Sequence, residues 1–199
     1  MLVSPQNHRS QSWLVHDLAS DFQVEDVWQF PIEGTSKDQF ALFREVFDQA
    51  FQELSTRGIA GLLFKIRHFA GWVFRWDKDI EARHLSQIRP GSLRERLQDM
   101  NLGKAPPLRP EETAFQTVYA RDREWLCEIA NKTVHAGLHL GWYQDGSGLY
   151  HAEMAVYVKA KGWLGKYYMA AIKPFRRFLV YPALMKAVAR VWQQRVAEV

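Results

Sequence analysis

Hydrophobic positions along the chain change period several times, and each change marks an element. Residues 1–20 are polar and mixed, with Pro5, several serines and little periodicity, which predicts a loosely ordered arm tied down near Trp13. A first strand is expected from Val24 to Phe30, with Val24, Trp28 and Phe30 on one side and Pro31 and Gly34 ending it. A helix comes next: Ser36 and Gln39 have capping-box spacing, and Phe40, Phe43, Phe47, Ala50, Phe51 and Leu54 recur at helical intervals. The stripe Ile59, Leu62, Leu63, Ile66, Phe69 and Val73 predicts a second helix ending near Trp76. From Asp77 to Thr113 the pattern dissolves into charges and prolines, a surface excursion with one short helical piece at Ser92 to Leu97.

Beyond Phe115 the period becomes two. Phe115, Thr117 and Tyr119 alternate with polar or small residues, Arg121-Asp122-Arg123 turns, and Trp125, Cys127 and Ile129 continue the apolar side. A two-residue turn at Asn131-Lys132 sets Trp125 against Leu138 and Cys127 against Ala136. A last turn through Asp145, Gly146 and Ser147 sets Trp142 against Tyr150, Leu138 against Met154, and His139 against Glu153. From Gly162 to Val196 the spacing is helical again, with Leu164, Tyr168, Ala171, Phe175, Phe178, Pro182, Met185, Ala189 and Trp192 on the stripe expected to face the sheet. Pro174 and Pro182 each remove a backbone donor, so a kink or restart is expected beside them. The fold class is α+β: a curved antiparallel sheet, built from a four-stranded meander and an N-terminal strand, packed against two N-terminal helices and a long, proline-kinked C-terminal helix. Residues 21–199 are read as one domain behind the arm.

The segment Leu164-Gly165-Lys166-Tyr167-Tyr168 through Lys173-Pro174-Phe175-Arg176-Arg177-Phe178 resembles the closing signature of a bacterial family catalogued as domain of unknown function 2867. There the signature reads roughly Gly-Arg-Leu-Tyr, an apolar stretch, then Pro-Phe-His-Arg. The likeness extends upstream through Asp26-Val27-Trp28-Gln29-Phe30-Pro31 and Asn131-Lys132-Thr133-Val134-His135. Arg176 stands where the family often has histidine, so no catalytic imidazole is expected at that point. The order of elements is also similar to the helix-grip fold of START-like and polyketide-cyclase-like proteins. That resemblance implies an apolar or amphipathic molecule held between sheet and C-terminal helix. The candidate lining is Trp125, Leu138, Leu140, Trp142, Met154, Tyr168 and Phe175.

Composition narrows the field. Eight tryptophans and an aromatic share of 14 % favour bulky packing over a broad inner surface. Lys65, Arg67 and His68 interrupt the most apolar run, Gly58 to Phe74, so no membrane span is expected there, and the polar start with one cysteine, Cys127, fits a cytoplasmic protein. Charge is lopsided: residues 154–199 carry nine Lys/Arg against Glu198, a balance of +8, which leaves −4 for residues 1–153 within the total of +4. Lys166, Lys173, Arg176 and Arg177 are therefore the candidate contacts for an anionic membrane surface, with nucleic acid disfavoured because no binding module accompanies them.

Catalytic and metal chemistry is harder to place. His135 and His139 on a strand stand about 13 Å apart, at roughly 3.3 Å per residue, too far to share an ion. His139, His151 and Glu153 form the one acid–base group in view, the basis of an alternative cyclase- or hydrolase-like reading, but a solvated sheet face accounts for them more simply. Cys127 reads as an inert core thiol. No catalytic residue, metal site or cofactor is assigned, and an oligomeric partner is not indicated.

Overall fold

The computed structural model describes residues 1–56, 91–107, 115–130 and 134–197. The expected helix from Ile59 to Trp76 and most of the excursion beyond it lie outside them. The described elements are α1 (Pro5–Arg9), α2 (Val15–Leu18), β1 (Gln23–Gly34), α3 (Gln39–Thr56), α4 (Leu93–Asp99), β2 (Gln116–Ala120), β3 (Glu124–Ala130), β4 (Val134–Gln144), β5 (Tyr150–Ala160), α5 (Gly162–Phe175) and α6 (Tyr181–Ala197). The fold is α+β, with a curved antiparallel sheet in the order β1-β5-β4-β3-β2. The meander runs β2 to β5, and β1 closes its far edge.

Strand β1 is longer than its sequence predicts because it runs on through Pro31 to Gly34. A proline lacks the donor a central strand needs, but β1 is an edge strand and its pairing with β5 shifts register between Gln29 and Glu33. Helix α3 then starts from a reciprocal cap. Gln39 Oε1 accepts from the Thr35 amide at 2.7 Å and the Ser36 amide at 3.2 Å, while Ser36 Oγ accepts from the Asp38 amide at 3.2 Å.

Two hairpin registers differ from the sequence expectation by two residues. Trp125 pairs with Leu140 and Cys127 with Leu138, because Ala130 closes on His135 and leaves four residues between them where two were expected. Trp142 pairs with Ala152 and Leu140 with Met154. The cause in the second case is Asp145, whose Oδ1 accepts from the Ser147 amide at 2.9 Å and the Leu149 amide at 3.2 Å, pulling Leu149 into the turn while Gly148 takes a φ of 90°. A two-residue slip preserves which side each residue faces, so the apolar side survives it. It does move His139 from Glu153 to Ala155, and Gly141 now faces Glu153. Between β2 and β3, Thr117 pairs with Cys127, and a bulge after it sets Tyr119 against Leu126 and Ala120 against Trp125.

The sheet separates two cores. On one side Trp28, Phe30, Ile32, Leu140, Trp142, Ala152 and Met154 pack against Phe40, Phe43 and Phe47 of α3 and Leu184, Met185, Val188 and Trp192 of α6. Trp142 is wholly buried, nearly parallel to Phe43 at 5.8 Å and to Tyr150 at 6.0 Å, and its Nε1 donates to the Ser36 carbonyl at 3.0 Å. On the other side Trp13, Leu14, Val15, Leu18 and Phe22 pack with Leu93 and Leu97 of α4 against Val27, Val118, Leu126, Ala155 and Tyr157. Residues 1–22 thus cover the side that the sequence left to solvent. Leu2 bridges Trp28, and the Val3 amide donates to the Val27 carbonyl at 2.9 Å.

The C-terminal helices join through a wide turn at Arg176–Val180, where the Tyr181 amide donates to the Arg176 carbonyl five residues back. Pro182 has no amide to offer the preceding turn, and the extra residue absorbs that loss. An extra residue also rotates α6 relative to α5, so the expected single stripe breaks. Met185 and Trp192 are buried, but Ala171 is exposed and Phe178 is 79 % exposed; Gly165 and Met169 face the protein instead. Among the described residues no helix is long and apolar enough to cross a membrane.

Candidate functional site

Two regions carry chemistry, one on each side of the sheet. The first is a polar cluster under the N-terminal arm. A period-two strand puts His135, His139 and Tyr143 on the same side of β4, and Glu153 and Tyr157 face that side from β5. Helix α1 brings His8 over them, with Ser4 capping its first turn. His8 is wholly buried, and its Nδ1 lies 2.5 Å from Glu153 Oε1 while its Nε2 lies 2.6 Å from the Tyr157 hydroxyl. The tautomer that satisfies all three donates from Nδ1 to the carboxylate and accepts from Tyr157 at Nε2. Burial, then the neighbouring Glu153 charge, pushes the Tyr157 phenol well above its ordinary range, which keeps that donor protonated. Trp13 Nε1 donates to the same Glu153 oxygen at 2.9 Å.

Glu124 forms the second half of the cluster. It accepts from the Tyr119 hydroxyl at 2.7 Å, from the Leu14 amide at 3.1 Å and from His139 Nε2 at 3.2 Å. Burial works to raise its pKa, but these donors outweigh burial and hold it below the usual glutamate value. His139 is wholly buried and burial depresses its pKa, so the ring is neutral near pH 7; with Nε2–H given to Glu124, its Nδ1 is a lone pair with no partner among the described residues. His16 is depressed as well, by burial first and then by His8 and His139.

The donor atoms of His8, His139 and Glu153 lie within 4.8 Å of one another, the spacing of a possible metal set. Two ligands of one tetrahedral zinc stand about 3.4 Å apart, given metal–ligand bonds of about 2.1 Å. The His8–Glu153 separation of 2.5 Å is a hydrogen bond instead, and both His8 nitrogens are already engaged. The cluster as folded is a hydrogen-bonded network in which His139 Nδ1 and His16 Nε2 are buried without a hydrogen-bond partner among the described residues. A cleft of about 150 Å³, lined by Val3, Asn7, Ser10, Gln11 and Tyr143, reaches it at Glu153.

Sequence reasoning named His139, His151 and Glu153 and left them on a solvated sheet side. His139 and Glu153 are instead buried, 0 % and 3 % exposed, because the arm lies over them. His151 is apart, its Nε2 2.8 Å from Asp145 Oδ2 at the hairpin. His8, Trp13, Glu124 and Tyr157 were missed. Their signal was the polar face of β4 and β5 itself, whose His and Glu lacked visible partners until the aperiodic arm supplied them.

These buried imidazoles set a pH dependence. A histidine whose folded pKa is depressed favours the folded state above its unfolded pKa, about 6.5, and loses that contribution as pH falls toward the folded value. Glu124, also depressed, contributes above the usual glutamate range and loses it as pH falls through its own lower value. The urea midpoint should therefore fall as pH drops from 7.5 to 5, and His16→Gln should flatten the upper part of that slope. A midpoint constant across this range would show that these rings titrate as they do in water.

The second region is the apolar side of the sheet beneath α5. Of the candidate lining, Leu140, Trp142 and Met154 are no more than 1 % exposed, closed over by α3 and α6. Trp125, Leu138 and Tyr168 are half-buried against that core together with Ala136 and Ile172, and Phe175 is half-buried on α5. Trp125 Nε1 is buried without a hydrogen-bond partner among the described residues, and the Arg44 guanidinium lies 5.5 Å from the centre of its ring. Cys127 is 1 % exposed. A second cleft, about 280 Å³, lies elsewhere, between α4 and the β2–β3 hairpin at Leu97, Lys104, Pro106 and Tyr119.

Three of the four candidate surface cations turn toward β1. Lys173 Nζ is 3.6 Å from Glu25, Arg176 is 3.4 Å from Asp26, and Arg177 is 3.6 Å from Asp26. Arg190 and Arg195 pair with Glu53 at 2.5 Å and Glu45 at 2.9 Å. Lys166 is exposed.

Together these features define an α+β domain in which a long C-terminal helix lies along a curved antiparallel sheet whose other side is closed by an N-terminal arm. The chain belongs to the family described as protein of unknown function (DUF2867), whose sequence model matches residues 18–183. No match is found among curated proteins.

Proposed function

We propose that the domain binds a small amphipathic molecule whose apolar part lies along Trp125, Ala136, Leu138, Tyr168 and Ile172. The observation that carries this reading is a contrast within one apolar layer: Leu140, Trp142 and Met154 are sealed, while Trp125, Ala136 and Leu138 of the sheet and Tyr168 and Ile172 of α5 stay half-buried. Aromatic and aliphatic walls with one or two convergent polar groups are the usual chemistry of a small-molecule site. Here Trp125 Nε1 offers a donor without a protein acceptor among the described residues, and Arg44 adds a positive charge beside it. Both favour a ligand with a polar or anionic end. The helix-grip likeness supports the same reading by analogy of fold.

Acid–base catalysis on this ligand is not favoured, because His139 and Glu153 lie across the sheet from the strip and His151 is held at the hairpin. Native mass spectrometry of freshly purified protein should show a released adduct above the 23.2 kDa chain, and a fluorescent fatty acid should bind saturably. Leu138→Gln should weaken that binding at least tenfold while the protein stays folded by circular dichroism. The absence of both an adduct and saturable binding in the wild type would sink the proposal.

A further inference from the structure

Helix α5 and the wide turn after it break the rule that a surface helix shows polar residues to water. Gly165 and Met169 are buried and Ile172 packs on the core, which fixes the inward side. The opposite side, by helical spacing, carries Trp163, Tyr167, Ala170, Ala171, Pro174 and Phe178. Trp163 is 75 % exposed, Tyr167 68 % and Phe178 79 %, with Leu179 next to them at 43 %. Single exposed apolar residues need no explanation, but three large aromatics in one outward row do. Lys166, Lys173 and Arg177, seven and four residues apart, run along one edge of that row.

We infer that this face docks on an anionic lipid surface, with Trp163, Tyr167 and Phe178 entering the headgroup layer and the basic edge facing lipid phosphates and carboxylates. Aromatic rings with polar tips beside lysines are the composition of helices that lie in a membrane interface. The aromatic row is the main determinant, because Lys173 and Arg177 share their charge with Glu25 and Asp26 and Arg176 is turned inward. Lys173 and Arg177 remain 42 % and 37 % exposed at the side chain, so they still reach solvent and set the preference for anionic lipid. A second copy of the chain is the less favoured occupant: a two-fold contact would bring this basic edge close to its own copy, in a segment that carries +8 over residues 154–199. This inference concerns the outward side of α5 and stands or falls apart from ligand binding beneath it.

The test is cosedimentation of the full chain with phosphatidylcholine vesicles containing or lacking 30 % phosphatidylserine, alongside sedimentation velocity of the protein alone. Wild type should pellet with the anionic vesicles, with salt-weakened affinity, and run as a monomer without lipid. The triple variant Trp163→Ala, Tyr167→Ala, Phe178→Ala should lose at least tenfold in partitioning, and Lys166→Gln about two- to fivefold, each with an unchanged thermal transition because the altered side chains are exposed. Wild type that stays in the supernatant, or a triple variant that binds as well as wild type, overturns the proposal. So does a lipid-free dimer that the triple variant dissolves, which would assign the face to a second copy.

Discussion

Trp142→Ala should cost the fold about 3–5 kcal/mol, the range for removing a fully buried large aromatic. The indole is 0 % exposed, sits between Phe43 and Tyr150, contacts Trp192 at 5.8 Å and ties β4 to the start of α3 through the Ser36 carbonyl. With a urea slope of about 2 kcal/mol/M, the midpoint should drop by about 1.5–2.5 M. Trp163→Ala, at an exposed position, should move it by no more than about 0.25 M, corresponding to about 0.5 kcal/mol. A partner substitution tests the same contact from the other side. A methyl group at Gly34 would stand 2.3 Å from Trp142 Cζ2, so Gly34→Ala should be strongly destabilising alone and much less so when Trp142 is already alanine. Equal costs in both backgrounds would mean that the indole does not fill this position.

Glu124→Leu should be nearly as damaging, about 3–5 kcal/mol, the cost of breaking a buried charged network by removing one partner. It leaves the Tyr119 hydroxyl, the Leu14 amide and the His139 N–H without their acceptor in a buried layer. Because Leu14 belongs to the arm, the loss should also loosen residues 1–22 from the sheet. Trypsin cleavage after Arg9 should speed up at least tenfold, while circular dichroism of the sheet changes little. A variant as stable as wild type, with the arm equally protected, would remove Glu124 from its place as the anchor of this layer.

The periodic parts of the chain were legible from sequence. Phe40, Phe43 and Phe47 announced α3, and the alternation from Val134 to Trp142 announced β4 and its apolar side. Register was not, because hairpin slips of two residues leave every side chain on the same face and so leave the hydrophobic pattern unchanged; between β4 and β5 what decided it was the reach of one carboxylate, Asp145, into its own turn. The second core was also hidden. His135, His139 and Glu153 look like a wet strand face when read alone, and the segment that buries them contributes by single contacts from His8, Trp13 and Leu14, with no repeat to detect. At the C-terminus the break expected beside the prolines is the turn at Arg176–Val180, but the spacing carried one inward stripe across it through Phe178, and the inserted residue turns that side chain outward.

The pairing of β1 with β5 has a consequence for synthesis. Gln23 finds its ladder partner at Val158, so β1 waits for a strand that is made much later in the chain. The meander from β2 to β5 can assemble from neighbours in sequence as it leaves the ribosome, whereas β1 lacks its ladder partner, and the aromatic stripe of α3 part of its packing, until β5 and α6 arrive. At about 5–20 residues per second, that interval lasts on the order of ten seconds. During it the sides of Trp28, Phe30 and Phe43 that later meet β5 and α6 are exposed apolar surface of the kind that holdase chaperones bind, and the nascent chain is most open to aggregation before α6 emerges.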